Sequence, residues 1–258
     1  MHWVRFEADG QTGFGVLNDD QVSVYEGDLF GEHQPTSSTI AASAVRLLAP
    51  CAPGKIVALW NNYYALAEKL GNAIPDGPLY LLKPSTCVIG HGETIVRPAC
   101  YDGRIMFEGE LGIVIGRTCK AVSEEDAPGV IKGYTCVNDV TAFPIIEEVK
   151  EFPQWCRAKS FDTFGALGPV IAEIDDPMSL TVKTLLNGRE RQNYPVNDII
   201  IPPYKLVSRI SQDMTLEAGD VIACGTSLGV MPMKPGTVVE VIIDGIGTLR
   251  NSFAGEPG

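Results

Sequence analysis

Two carboxylates, Glu108 and Glu110, interrupt the apolar run Met106-Phe107-Glu108-Gly109-Glu110-Leu111-Gly112-Ile113-Val114-Ile115-Gly116. Side chains alternate faces along a strand, so the two glutamates share one face, and Phe107, Leu111, Ile113 and Ile115 line the other. Two like charges on one face of a mostly buried strand are costly unless something neutralises them. A hard divalent cation does this well, because it takes oxygen ligands. A third carboxylate, Asp139, lies near the end of a second strand-like run, Gly133-Tyr134-Thr135-Cys136-Val137-Asn138-Asp139-Val140-Thr141. Three carboxylates on adjacent strands suit one Mg²⁺ or Mn²⁺ with open positions for water or substrate oxygens. On spacing alone, an edge strand whose glutamates face water accounts for Glu-x-Glu equally well.

Other residues could join such a site. Lys159 lies in residues 154–165, a stretch with little periodicity and several aromatics. Long structureless stretches in compact domains are often functional. A lysine near a metal could bind an anionic substrate group or stabilise an enolate, although composition alone favours a surface lysine. The apolar run 221–224 ends in Gly225-Thr226-Ser227-Leu228-Gly229-Val230. Backbone N–H groups of such a Gly-rich turn could hold a carboxylate. It is not a nucleotide-binding Walker loop, since no Gly-Lys-Ser/Thr follows. The three histidines are His2, His33 and His91, and His91 sits in the turn sequence Gly90-His91-Gly92. A mechanism that needs a histidine base must use one of these.

The elements that must position these groups are mostly short strands. Strands are expected over residues 3–8, 13–17 and 21–25, separated by Asp9-Gly10 and Asn18-Asp19-Asp20. A short helix is expected over 38–48, and Pro50 and Pro53-Gly54 mark a boundary. A strand over 55–59 precedes a helix over 62–70, capped by Asn61 or Asn62 and stopped by Gly71. That helix and the loop after it could form a lid. Helices are also expected from Ser123 toward Ile131, over 142–151 and over 204–210. Asn187-Gly188 marks a type I′ hairpin. Many short strands and few helices indicate a mixed α+β, β-rich fold with a roll or barrel-like sheet. The division expected is a small β unit over 1–50 and a catalytic domain over 51–258.

Composition narrows the function classes. The chain has 258 residues, 45% hydrophobic and 20% charged, which is globular and not disordered. A net charge of −12 argues against nucleic acid as a partner. No apolar run is long enough to span a membrane, and the N-terminal residues do not read as a secretory signal. Seven cysteines with no Cys-x-x-Cys pair read as reduced thiols of a cytoplasmic protein.

The run Phe107–Arg117, taken with several later stretches in the same order, resembles the signature of the fumarylacetoacetate hydrolase family. Those stretches are Tyr80-Leu81-Leu82-Lys83-Pro84, Asn138-Asp139-Val140-Thr141, Lys159-Ser160-Phe161-Asp162, Gly168-Pro169, Gly219-Asp220-Val221-Ile222 and Gly225-Thr226. The resemblance covers roughly residues 55–253. It implies a mixed β-sandwich roll with a small N-terminal β domain, assembled as a homodimer. It also implies one Mg²⁺ or Mn²⁺ per subunit, held by Glu108, Glu110 and Asp139, and a small oxo-acid substrate. Lys159 matches the family's active-site lysine. Thr226 matches its carboxylate-binding threonine, with Gly225 beside it.

The reaction implied by default is hydrolysis of a C–C bond in an acylpyruvate-like acid through a metal-held enolate. The alternative is isomerisation or decarboxylation of hydroxydienedioate or oxo-acid substrates. A third reading is a non-catalytic metal-binding scaffold, which would need neither Lys159 nor Thr226. The family's lid often carries a His–Glu pair that activates water. Here the stretch is Asn61-Asn62-Tyr63-Tyr64-Ala65-Leu66-Ala67-Glu68-Lys69, with no histidine, which leaves Glu68 as the candidate base. Members often carry Arg and Gln beyond the aspartate, where this chain has Phe143 and Ile146. With Trp60 and Tyr64, these suggest an apolar tail on the substrate. Both departures favour isomerase or decarboxylase chemistry over hydrolysis.

Overall fold

A computed structural model describes residues 1–255, so the last three residues of the expected 51–258 domain lie outside it. Two sheets organise the chain. The larger has twelve strands. Its main path runs His33–Ala41, Gln21–Gly27, Gln11–Asn18, His2–Ala8, Gly165–Ala172, Ile131–Asp139, Gly109–Ile115, Val221–Ala223, Lys55–Trp60, Leu79–Pro84. The second sheet runs Arg189–Pro195, Thr181–Leu186, Val238–Ile243, Gly247–Ala254, Thr94–Val96. The fold is therefore β-rich and mixed, as expected.

The first four strands form an antiparallel meander. Its two-residue turns place Asp9, Gly10 and Asp19 at positive φ, which matches the twist of tight hairpins. The meander does not form a sheet of its own. His2 and Trp3 pair with Ala172 and Ile171, which makes it an extension of the large sheet. Residues 38–48 form no α-helix and hold only the 3₁₀ turn Ala42–Ala44. Thr36, Thr39 and Ile40 belong to His33–Ala41, which pairs with Gln21–Gly27, and β-branched residues suit that pleated ladder.

All seven residues of Gly109–Ile115 are buried. Leu111, Ile113 and Ile115 pack in one core with Val182, Val239, Val241 and Leu249 of the second sheet. Val114, with Val137 of the adjacent strand, packs in another core with Ile56, Leu167 and Val221. A strand covered on both faces reads as a near-continuous apolar run, which is what this sequence shows. The edge-strand reading of Glu108 and Glu110 is thereby excluded, since Gly109–Ile115 lies between two partners.

Two expected helices shrink. Residues 142–151 supply only the short 3₁₀ turn Phe143–Glu147, with Pro144 removing a donor. Asp126 N–H donates to Ser123 Oγ at 3.1 Å, but Ser123 does not cap the turn, whose N-cap is Asp126. Pro128 and Gly129 then limit the turn to Ala127–Val130. Conversely, Trp155–Lys159 is a short α-helix inside the stretch that lacked periodicity. The Pro203–Asp213 helix extends beyond its expected end, with Leu206, Val207 and Ile210 buried.

Gly109 is pressed against the second sheet. A Cβ there would sit 2.0 Å from Thr184 Oγ1 and 3.1 Å from Gln192 Oε1. Gly109→Ala should therefore lower stability by roughly 1–3 kcal/mol in urea denaturation. Adding Thr184→Ala to that variant should recover part of the loss. Equal stability of Gly109→Ala and the parent chain would show that the sheets are not this tightly apposed.

Candidate active site

Strand register brings the three carboxylates together. Gly109 pairs with Asn138 and Glu110 with Val137, and Asp139 N–H donates to Glu108 O at 2.9 Å. Glu108 thus lies opposite Asp139, and Glu110 lies two residues further on the same face. Single oxygen atoms of Glu108, Glu110 and Asp139 all lie within 4.8 Å of one another. Glu110 and Asp139 are buried, while the Glu108 side chain is 14% exposed.

The backbone between the two glutamates is clasped on both sides. Gly109 N–H donates to Gln192 Oε1 at 3.0 Å, and Gly109 O accepts from Tyr194 Oη at 2.6 Å and Thr226 Oγ1 at 3.0 Å. Gln192 Nε2 donates to Thr226 Oγ1 at 2.8 Å. Asn138 Oδ1 accepts from Glu108 N–H at 3.0 Å. These bonds hold the carboxylates' backbone fixed, so little reorganisation remains when a ligand arrives.

Two buried ammonium groups answer the charge. Lys83 pairs with Asp139 Oδ1 and donates to Phe164 O at 2.8 Å. Lys159 Nζ lies 2.6 Å from Asp139 Oδ2, 2.8 Å from Glu108 Oε2 and 2.7 Å from Thr141 Oγ1. Three carboxylates against two ammonium groups leave one negative charge. Glu110 carries the imbalance. Its Oε2 accepts from Gly225 N–H at 2.8 Å, but its buried Oε1 has no partner. A buried, unpartnered oxygen among hard oxygen donors fits a divalent cation, so Glu108, Glu110 and Asp139 are the residues that would hold one.

The electrostatics follow the same geometry. Burial, aided by the charges of Asp139 and Glu108, pushes the Glu110 carboxyl well above the usual range. Burial also raises Glu108, against the pull of Lys159. At Asp139 burial acts upward, but Lys159 and Lys83 outweigh it and hold the carboxyl low. At Lys159 burial acts downward, but Asp139, Glu108 and Glu110 win and keep the ammonium charged.

A cavity of about 280 Å³ opens onto this cluster. Glu108, Lys159 and Thr226 reach it beside apolar walls that include Trp60, Phe143 and Trp155. Gly225 does not offer its N–H to a substrate there, because Glu110 holds it. Glu68 is exposed on the Tyr64–Leu70 helix, and the cavity is lined instead by Leu66 and Leu70 of that helix. Ile146 lies in the core and Tyr64 faces solvent, so of the four residues expected around the substrate's tail, Trp60 and Phe143 reach the cavity. The histidines are engaged elsewhere, at Gly245 O, Asp28 O and Thr248 O.

The helix is not capped by either asparagine. Asp198 Oδ2 accepts from Ala65 N–H at 3.0 Å. Asn62 instead joins the chain before the helix to the turn beside Glu110, donating to Cys224 O at 2.9 Å and accepting from Ile201 N–H at 3.0 Å. Gly71 ends the helix at φ 69°, as expected. Sequence reasoning missed the structural weight of Lys83 and Gln192. A lysine closing the apolar run Tyr80-Leu81-Leu82 was a signal, since buried lysines are almost always paired.

Residues 55–254 match the family model for the fumarylacetoacetate (FAA) hydrolase C-terminal domain. The chain belongs to the fumarylacetoacetate hydrolase family. Residues 1–50 match a second model, Rv2993c-like, N-terminal. The chain is 37% identical to oxaloacetate tautomerase YisK of Bacillus subtilis over 225 residues, covering 82% of this chain and 74% of that protein. The structure of 2-hydroxyhepta-2,4-diene-1,7-dioate isomerase from Mycobacterium marinum superposes with a TM-score of 0.90 and 35% identity, over 98% of both chains. Maleylpyruvate hydrolase from Sphingobium sp. SYK-6, in complex with manganese (II) ion and pyruvate, gives a TM-score of 0.82 and 26% identity, covering 98% of this chain and 99% of that one. The chain is thus a member of an enzyme family that includes isomerases, tautomerases and hydrolases. No helix among the described residues is long and apolar enough to cross a membrane.

The unpartnered Glu110 oxygen generates a two-sided prediction. Its folded-state pKa is raised, so it costs nothing below the unfolded value of about 4.3 and costs progressively more as pH rises. Glu110→Gln should therefore melt with the parent near pH 4. At pH 8, without metal, it should melt about 2–4 °C higher, for a gain of roughly 1 kcal/mol. Mn²⁺ should raise the melting temperature of the parent chain and not that of the variant. A parent chain indifferent to Mn²⁺ would remove the metal assignment.

Proposed function

We propose that the chain is a divalent-metal-dependent isomerase of 2-oxo or 2-hydroxydienoic acids, moving a proton and a double bond. Hydrolysis of a C–C bond is the reading this displaces. The observation that carries the choice is the cavity's inventory of proton-handling groups. Hydrolysis needs a base beside an attacking water. The sequence candidate for that base, Glu68, stands outside the cavity, and the histidines are bonded elsewhere. What the cavity holds is the Glu108–Lys159 pair at 2.8 Å, which serves proton exchange at an enolising carbon. The relatives named as an isomerase and a tautomerase support the same reading.

A bound Mg²⁺ or Mn²⁺ supplies Lewis-acid polarisation of the substrate's oxo oxygen. The chain's own residues do the rest. Glu108 Oε2 takes the proton that leaves the substrate. Lys159 Nζ holds positive charge where negative charge builds on the enolate oxygen and gives a proton to carbon. Glu108 then restores that proton to Lys159 across their hydrogen bond. Glu108 suits the task because it is the one member of the carboxylate cluster that reaches the cavity. Thr226 turns its hydroxyl to Gly109 O, so its role is to line the substrate's acid end and to brace the glutamates. Trp60, Trp155 and Phe143 exclude water and so strengthen these electrostatic contacts.

Incubation of the Mn²⁺-loaded chain with a 2-hydroxydienedioate in D₂O tests the reading. Isomerisation incorporates deuterium at a single carbon and leaves the carbon skeleton whole, as mass spectrometry would show. Two shorter acids would establish hydrolysis and sink the proposal, and released CO₂ would establish decarboxylation. Lys159→Met should lower kcat by at least about 100-fold. It should also leave Mn²⁺-dependent thermal stabilisation in place.

A further inference from the structure

The cavity wall above Glu108 continues the central strand. Met106 and Thr141 exchange both backbone hydrogen bonds, at 2.8 and 3.1 Å, which keeps this segment in strand-like alternation. Ile105 and Phe107 are fully buried on one side. Arg104, Met106 and Glu108 all line the cavity on the other. Alternation thus places a guanidinium on the same wall as the carboxylate cluster.

Arg104 differs from the other cation of the cavity. Lys159 is held by Glu108, Asp139 and Thr141. The Arg104 side chain is exposed and, among the described residues, makes no salt bridge or hydrogen bond. Its backbone is fixed by Tyr101 Oη, which donates to Arg104 O at 3.2 Å. At about 3.3 Å per residue, the Cα atoms of Arg104 and Glu108 lie roughly 13 Å apart. Apolar surface from Met106, Phe143, Trp60, Leu66 and Leu70 fills the space around this wall. The cavity is therefore bipolar: a metal-suited acid cluster at one end, a free guanidinium at the other, and apolar walls between.

We propose that Arg104 anchors the distal carboxylate of an elongated oxo-dicarboxylate substrate, whose oxo-acid end lies at Glu108 and Lys159. The proposal rests on the oxo-acid reading above and adds to it the residue that selects for a second acid group. A guanidinium suits the task because its planar fork meets a carboxylate with two parallel N–H donors. The spacing requires several carbons between the two acids. A monocarboxylic acid of the same length would leave Arg104 in water and gain nothing from it. Because the pair forms at an exposed rim, its contribution falls as salt rises.

The test uses two probes that differ in one group, 2-oxoheptanedioate and 2-oxoheptanoate, binding to the Mn²⁺-loaded chain by calorimetry. The parent chain should prefer the dioate by about tenfold at low salt, and the preference should shrink at high salt. Arg104→Gln should abolish the preference while leaving Mn²⁺-dependent thermal stabilisation unchanged, and Arg104→Lys should keep part of it. A parent chain that binds both probes equally would overturn the role of Arg104 and spare the oxo-acid reading. So would an Arg104→Gln variant that still prefers the dioate. Failure of both probes to bind would overturn the two proposals together.

Discussion

The structure is built around a buried charge imbalance. Glu110, Glu108 and Asp139 face Lys83 and Lys159 where the solvent is largely excluded, and neither side can relax into water. Removing a paired member such as Asp139, Lys83 or Lys159 leaves an uncompensated buried charge, which costs far more than the pair contributes. The arrangement therefore has little to do with stability. Well-packed apolar side chains would stabilise the same sheet better.

Holding those groups in place is the task of the two-sheet architecture. The large sheet supplies Glu110 and Asp139 from neighbouring strands and Glu108 from the residue before one of them. The second sheet supplies Gln192 and Tyr194, which fasten Gly109 between the glutamates. Gln192 is buried and places its amide between Gly109, Thr184, Thr226 and Ser227. A buried amide with every bond made is rigid, since each alternative rotamer strands a polar atom. Carboxylate geometry is thus set by packing between sheets, remote from the cavity mouth.

The sequence made the central strand legible because burial on both faces leaves an unbroken apolar run, against which two glutamates stand out. It placed the turns at Asp9-Gly10 and Asn187-Gly188, where φ must be positive. Its failures share a cause: each needed a long-range partner. Within residues 38–48, Ser38–Ala41 join the ladder beside Gln21–Gly27 and Arg46-Leu47 pair with His2–Ala8, so distant strands decide their state. Glu68 faces solvent, and Leu66 and Leu70 are the residues of its helix that line the cavity. Whether Asn62 caps a helix or braces a distant turn depends on Cys224 and Ile201, far along the chain. Gln192 has no local signal at all, because its partners come from three separate segments.

The same reasoning bears on why one fold hosts several reactions. The carboxylate cluster and Lys159 sit on interior strands and a short helix anchored by buried contacts. The Tyr64–Leu70 helix and the Phe143–Glu147 turn lie outside that framework and supply apolar side chains to the cavity. In this chain those outer elements present Leu66, Leu70 and Phe143 to the cavity. An apolar cover lowers the dielectric over the Glu108–Lys159 pair and strengthens every charge interaction there. It also gives no foothold to an oriented water. An enolising reaction benefits from the first effect and is untouched by the second, whereas a hydrolytic one would lose its nucleophile. On the proposed isomerase reading, this apolar shell therefore favours enolisation over hydrolysis.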